Sequence, residues 1–259
     1  MVDNLFTTII YLFLRNQILR ICLMKEKNNL HHSIIYDNER RKEYLALVIL
    51  LGSTFVFTLT FLGLTNGFSE HLSSFLLKKL GYTNRWSTYY GPEWFVDLNK
   101  EFSALGNFPL MFIFLTVSII YYHLRRESIR LWRLLLIIVV GGLLLFCAKI
   151  IFAPEIPDEP FEIMTNQISS FPSGHAMMGT IFYITLSVTI SRRQHSRKTK
   201  RLTLITGVII TLLIGISRIL PGIHTLKDVL AGWSLGLIWL CVCWFLDRVI
   251  KRHLRKETV

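Results

Sequence analysis

Residues 134–149 read LLLIIVVGGLLLFCAK. The apolar run from Leu134 to Ala148 carries no charge and ends on a single ammonium, that of Lys149. With its flanks it approaches the roughly 20 residues that a helix needs to cross a bilayer. Five further uncharged stretches accompany it: Leu45–Thr65, Ala104–Tyr122, Ala176–Ser191, Leu202–Ser217 and Val229–Leu246. The whole chain agrees, with 52% hydrophobic residues and only 18% charged ones among 259, and a mean hydropathy of +0.45. These features exclude an ordinary water-soluble domain and predict an all-α membrane protein with six transmembrane helices.

Basic residues then orient the bundle. Of 29 Lys and Arg residues, 22 fall before the first apolar stretch, between the second and third, between the fourth and fifth, or after the sixth. By the positive-inside rule those four segments are cytoplasmic, which places loops 66–103, 149–175 and 218–228 outside and both termini inside. The net charge of +12 therefore reads as a topology signal and an affinity for anionic headgroups, not as a nucleic-acid surface. The plasma membrane, the inner one in a bacterium, is the expected location, with the outer loops facing the periplasm or exterior. Three parts result: a basic cytoplasmic segment 1–42, a six-helix membrane domain 43–250 and a basic cytoplasmic tail 251–259. Within the first, Leu5–Leu14 is too short to span and is followed by Arg15 and Arg20, which predicts an interfacial amphipathic helix. Met24, ahead of KEKNNLHH, offers an alternative start. Cys22, Cys147, Cys241 and Cys243 lie in apolar surroundings without metal-site spacing and read as small buried hydrophobes.

Chemistry concentrates at the outer surface in three places: Lys149, FPSGH at 171–175 and SRILPGIHTLKD at 217–228. Singly each has an ordinary reading. Ser173 and Asp228 suit helix starts, and Lys149 and Arg218 can snorkel. Together they complement one another. A helix beginning at Ser173 and Gly174 directs free N–H groups and a positive dipole end outward, which suits an anion. Arg218 and Lys149 supply fixed cations for phosphate oxygens. His224 and Asp228 are four residues apart, so on a helical turn the carboxylate can hold one ring nitrogen and leave the other as a nucleophile. His175 remains to protonate a departing oxygen. The set fits phosphoryl transfer through a phosphohistidine, with no metal or other cofactor called for.

The two patterns, PSGH at 172–175 and Ser217-Arg218, five residues, His224, three residues, Asp228, resemble the second and third signatures of the type 2 phosphatidic acid phosphatase superfamily. The resemblance covers about residues 43–250 and includes the six-helix layout. It implies His224 as nucleophile, Asp228 as its orienting acid, His175 as general acid, and Lys149, Ser173, Gly174 and Arg218 as phosphate ligands. It also implies a metal-independent hydrolase acting on a membrane lipid such as phosphatidic acid, phosphatidylglycerol phosphate or a polyprenyl pyrophosphate.

The family's first signature, Lys, six residues, Arg, Pro, is incomplete here: Lys149 and Pro157 are present and Ile156 stands where arginine belongs. Glu155, Asp158, Glu159 and Glu162 crowd the same loop and read as a solvated acidic stretch. Loss of one charge-assisted hydrogen bond, about 1.5–3 kcal/mol, slows such a reaction by roughly one to two orders of magnitude. Arg85, Lys100 and Lys227 are the candidates to replace it. Two alternatives share the site: a lipid phosphotransferase using the same intermediate, and a catalytically weak lipid-phosphate binding protein. In the first outer loop, Trp86, Tyr89, Tyr90, Trp94 and Phe95 read as an interfacial aromatic belt.

Overall fold

The computed structural model describes residues 39–79, 93–152, 171–221 and 223–257. The expected interfacial helix at 5–14, Met24, Arg85, Trp86, Tyr89, Tyr90, the acidic loop and Ile156 lie outside the described residues. Eight helices are described: α1 Glu39–Phe61, then α2 Asn66–Lys79, α3 Glu93–Ala104, α4 Phe108–Leu124, α5 Ser128–Ile151, α6 Gly174–Ser191, α7 Arg197–Ile219 and α8 Leu226–Glu257. No strand occurs among the described residues. The chain divides into two compact units, Met1–Val48 and Ile49–Val259. Of the first, residues 39–48 are described as helix.

Four helices, α1, α5, α7 and α8, are long and apolar enough to cross a membrane, and α3 with α4 forms a fifth candidate bent by 44°. Side chains such as Phe55, Phe112, Leu136, Phe146, Leu202 and Leu246 are exposed, as a lipid-facing surface requires. The expected fourth span, α6, has only 18 residues and carries Thr180, Thr185, Ser187, Thr189 and Ser191. Its composition follows from its place. It is buried on most sides, from Ala176 through Tyr183, and packs against α5, α7 and α8. A helix surrounded by protein has no lipid to satisfy, so its hydroxyls can bond back to the helix, as Thr180 does to the Ala176 carbonyl at 2.7 Å.

Because lipid tails are as apolar as leucine, helices in a bilayer associate by close packing, which favours small residues at contacts. Here Gly232 and Gly236 on α8 form such a contact: a Cβ on Gly232 would lie 2.6 Å from the Ser173 carbonyl oxygen, and one on Gly236 would lie 3.0 Å from that of Met177. Backbone meets backbone, so neither position tolerates a side chain. The consequence is functional, since α8 is pressed directly against the start of α6.

The second expected stretch, Ala104–Tyr122, falls on α4 and on a break just before it. The chain is not one straight helix there: α3 ends at Ala104, α4 begins at Phe108, and the axis turns between them. Gly106, Asn107 and Pro109 explain the break, since glycine and asparagine favour turns and proline is at home in a first helical turn.

Candidate active site

Ser173 occupies the N-cap position of α6, yet its side chain makes no capping bond. It is fully buried, and its Oγ has no hydrogen-bond partner among the described residues. A buried orphan hydroxyl costs about 1–3 kcal/mol, which a ligand oxygen would offset. Meanwhile the Ser173 backbone N–H donates to the Asp228 carbonyl at 2.9 Å. That single bond joins the two sequence patterns, which are 55 residues apart (228 minus 173).

Downstream, α7 ends at Ile219, and Leu220 and Pro221 turn the chain. The His224 backbone N–H donates to the Arg218 carbonyl at 3.0 Å, which ties the turn that carries His224 to the end of α7. Next, Thr225 and Asp228 form a reciprocal pair at the start of α8. The Asp228 carboxylate accepts from the Thr225 N–H at 2.9 Å, and the Asp228 N–H points at the Thr225 hydroxyl at 3.4 Å. This is a capping box with Thr225 as the cap, so Asp228 has the helix-start duty its sequence position suggested, one turn further in. Its Oδ2 also lies 3.7 Å from His224 Nδ1, and both side chains are nearly buried. That separation is slightly beyond hydrogen-bond length, and Nδ1 has no other partner among the described residues. The carboxylate therefore faces Nδ1, and Nε2 is the ring nitrogen turned away from it.

Lys149 reaches the same place from the end of α5. A Cβ on Gly174 would meet Lys149 Cε at 3.7 Å and Leu145 Cδ2 at 3.3 Å, so the lysine stem lies along the bare backbone of the first α6 turn. His175 stands at the mouth of α6, ahead of its apolar run. Burial, then the charges of Arg218, His224 and Lys149, pull its pKa down from 6.5 to about 4. Arg218, His224 and Lys149, from three segments, thus converge on one ring, and the two fixed cations among them suit an anion site. All seven sequence-predicted residues, Lys149, Ser173, Gly174, His175, Arg218, His224 and Asp228, are brought to one end of the bundle.

Several supporting residues were missed. Asn107 Oδ1 lies 2.8 Å from His175 Nε2. Arg218 Nη1 donates to Ser103 Oγ at 2.7 Å, and buried Asn99 donates to the Ser217 carbonyl at 3.1 Å. Ser69 Oγ, on α2, accepts from the Lys227 N–H at 3.0 Å. Helices α2 and α3 therefore brace the site. Asn99 and Ser103 share a face of α3 at four-residue spacing, a signal visible in retrospect. Of the cations considered as arginine replacements, Lys100 is exposed and paired with Asp97 at 3.0 Å. Lys227 Nζ instead stands 5.7 Å from the centre of the Phe171 ring, beside Pro172 and Ser173.

The chain is similar to known proteins. The PAP2 superfamily matches residues 130–250. Phosphatidylglycerophosphatase B of Bacillus subtilis is 34% identical over 106 residues, covering 40% of this chain and 48% of that one. A PA-phosphatase related-family protein of Dictyostelium discoideum is 31% identical over 105 residues, covering 39% and 31%. The matched stretch thus spans about half the length of the first relative and less of the second. The crystal structure of a transmembrane PAP2 type phosphatidylglycerolphosphate phosphatase from Bacillus subtilis superposes with a TM-score of 0.57 at 23% identity, over 81% of this chain and 98% of that one. The fold is therefore like that of this solved transmembrane structure, and residues 130–250, which hold every predicted site residue, match the PAP2 superfamily.

Proposed function

We propose that this protein is an integral membrane phosphatase that hydrolyses a lipid phosphate or pyrophosphate through a phosphohistidine on His224. The observation that carries it is the junction of the two patterns: Ser173 bonded to Asp228, and Asp228 facing His224 Nδ1 at 3.7 Å. The substrate phosphate sits at the first turn of α6, met by the Ser173 hydroxyl, the Gly174 N–H, Arg218 and Lys149. His224 Nε2 attacks phosphorus, and Asp228 stabilises the ring as it becomes positive. The bond to the leaving oxygen breaks, and His175 gives that oxygen its proton. Water then attacks the phosphohistidine, its proton returns to His175, and phosphate leaves with His224 restored.

The basic segments place both termini in the cytoplasm and this site on the outer side. Six spans follow when α6 and the bent α3–α4 pair are each counted as one, beside α1, α5, α7 and α8. The chains of the lipid then stay in the outer leaflet while the headgroup enters between α5, α6 and α8. The names of the relatives favour a phosphatidylglycerol phosphate or phosphatidic acid headgroup. A phosphate-release assay in detergent, over phosphatidylglycerol phosphate, phosphatidic acid and a polyprenyl pyrophosphate, tests the proposal. Release by the native protein and background release by His224→Ala supports it; equal release by both overturns it.

A further inference from the structure

Asn107 breaks a local rule. It stands at the N-cap of α4 with an extended backbone, a position where asparagine is among the best capping residues, yet its side chain makes no capping bond. Its Oδ1 is instead directed to His175 Nε2 at 2.8 Å. The chain reaches that ring only because the α3–α4 axis bends at a buried glycine. A Cβ on Gly106 would lie 3.0 Å from His175 Cδ2 and 2.7 Å from Ile214 Cγ2. Break, glycine and amide together seat one edge of the imidazole. A helix cap given up in favour of a contact with a single side chain points to a role for that contact.

The surroundings explain what the contact does. The charged groups that act on His175 are Lys149 from α5, Arg218 from the end of α7 and His224 from the following turn, all positive when protonated. The nearby carboxylate, Asp228, is engaged by Thr225 and His224. Asn107 offers His175 an uncharged acceptor, and an amide oxygen accepts a proton donor only. Of the two ring nitrogens, the one that bears hydrogen is set by the partner of the other.

We propose that Asn107 is the positioning residue for His175: its amide oxygen holds Nε2 as N–H and so assigns proton exchange to Nδ1. In the first half-reaction, Nδ1–H of the imidazolium passes to the leaving oxygen, and the ring becomes neutral with Nε2–H still on Asn107. In the second, Nδ1 takes a proton from the water that cleaves the phosphohistidine, and the imidazolium is regenerated. The kinetic part of this rests on the phosphatase reading; the tautomer does not.

The test uses the full-length protein in detergent with 15N-labelled histidine, His175 being identified by the signal lost in His175→Gln. The native ring should be the Nε2–H tautomer when neutral. Asn107→Leu should yield mixed tautomers, and Asn107→Asp, placing a carboxylate against Nε2, should raise the His175 pKa by one unit or more. In turnover, Asn107→Leu should lower kcat by up to about a hundredfold with little change in KM, and Asn107→Asp should move the alkaline limb of kcat upward by a similar unit. Identical tautomer and pKa in all three proteins overturn the assignment. Shifted tautomers in a protein that releases no phosphate leave it standing and remove the phosphatase reading. An active native enzyme whose two Asn107 variants match it in rate and pH profile removes the catalytic role.

Discussion

The two ends of the helix bundle treat the same kinds of residue in opposite ways. At the end that carries Arg193, polar groups satisfy one another. Glu127 pairs with Arg193 and, at 2.8 Å, with Arg130, while the Arg193 guanidinium lies 5.0 Å and 5.6 Å from the ring centres of Tyr121 and Tyr122. Asp247 holds Arg133 at 3.1 Å and also Lys251. Gln194 bonds Thr203, and Ser196 caps α7 by accepting from the Lys198 N–H at 3.3 Å. At the end that carries His224, Thr225 and Asp228 do cap α8, but Ser173 sits at a helix start without capping it, Asn107 does the same, and among the described residues buried Ser173 Oγ and His224 Nδ1 have no hydrogen-bond partner. Buried polar groups are nearly always satisfied. Where they are left open beside converging cations, a ligand is the natural partner; where they are closed, they serve packing and topology.

Mutations should separate the two ends. The largest effect belongs to His224→Ala, which removes the proposed nucleophile and should lower turnover at least roughly a thousandfold, to the background of a phosphate-release assay. His175→Ala should follow, at roughly 10²–10⁴-fold in kcat. Ser173→Ala should cost about one to two orders of magnitude in kcat/KM, the equivalent of one charge-assisted hydrogen bond, while leaving the thermal midpoint unchanged or raised, because an orphan hydroxyl is removed. A fall in stability instead would return Ser173 to ordinary capping.

The pH profile sharpens the contrast further. With His175 held at about 4 in the free protein, its acid form is lost as pH rises through that value. A bound phosphate dianion offsets the cations around it and raises the pKa in the complex. The alkaline limb of kcat should therefore lie at higher pH than that of kcat/KM; coincident limbs would count against His175 as the acid. At the other end effects should be small and structural. Ser196→Ala should cost about 1 kcal/mol of stability, read as a lower unfolding midpoint, with kcat unchanged.

How much of this was legible in advance depended on periodicity and residue type. The apolar runs mark most of the helices, and PSGH with the Arg218–His224–Asp228 spacing marks residues that the fold gathers at one end of the bundle, because those residues carry their chemistry locally. The bend at Gly106–Asn107 was hidden inside an otherwise uncharged run, and its partner His175 is 68 residues away, a separation that no local pattern encodes. Ser103, Asn99 and Ser69 stood out little for the same reason: as common polar residues, they acquire meaning only when helices α2 and α3 lie against the ends of α7 and α8. The polar character of α6 makes it less apolar than the other candidate spans and reflects its central position. Ile156 lies outside the described residues, and the arginine question stays with the sequence: Ile156→Arg should raise turnover by about one order of magnitude if no other cation has replaced it.

The central claim is a covalent phosphohistidine on His224. Purified protein mixed with 32P-labelled phosphatidylglycerol phosphate and quenched within milliseconds should carry label that is stable to base, labile to acid and located on the peptide containing residues 217–228. His224→Ala should carry none, and His175→Ala, unable to assist the water step, should accumulate at least as much as the native protein relative to its rate of release. Turnover without any trappable label, or label retained in His224→Ala, would contradict the account.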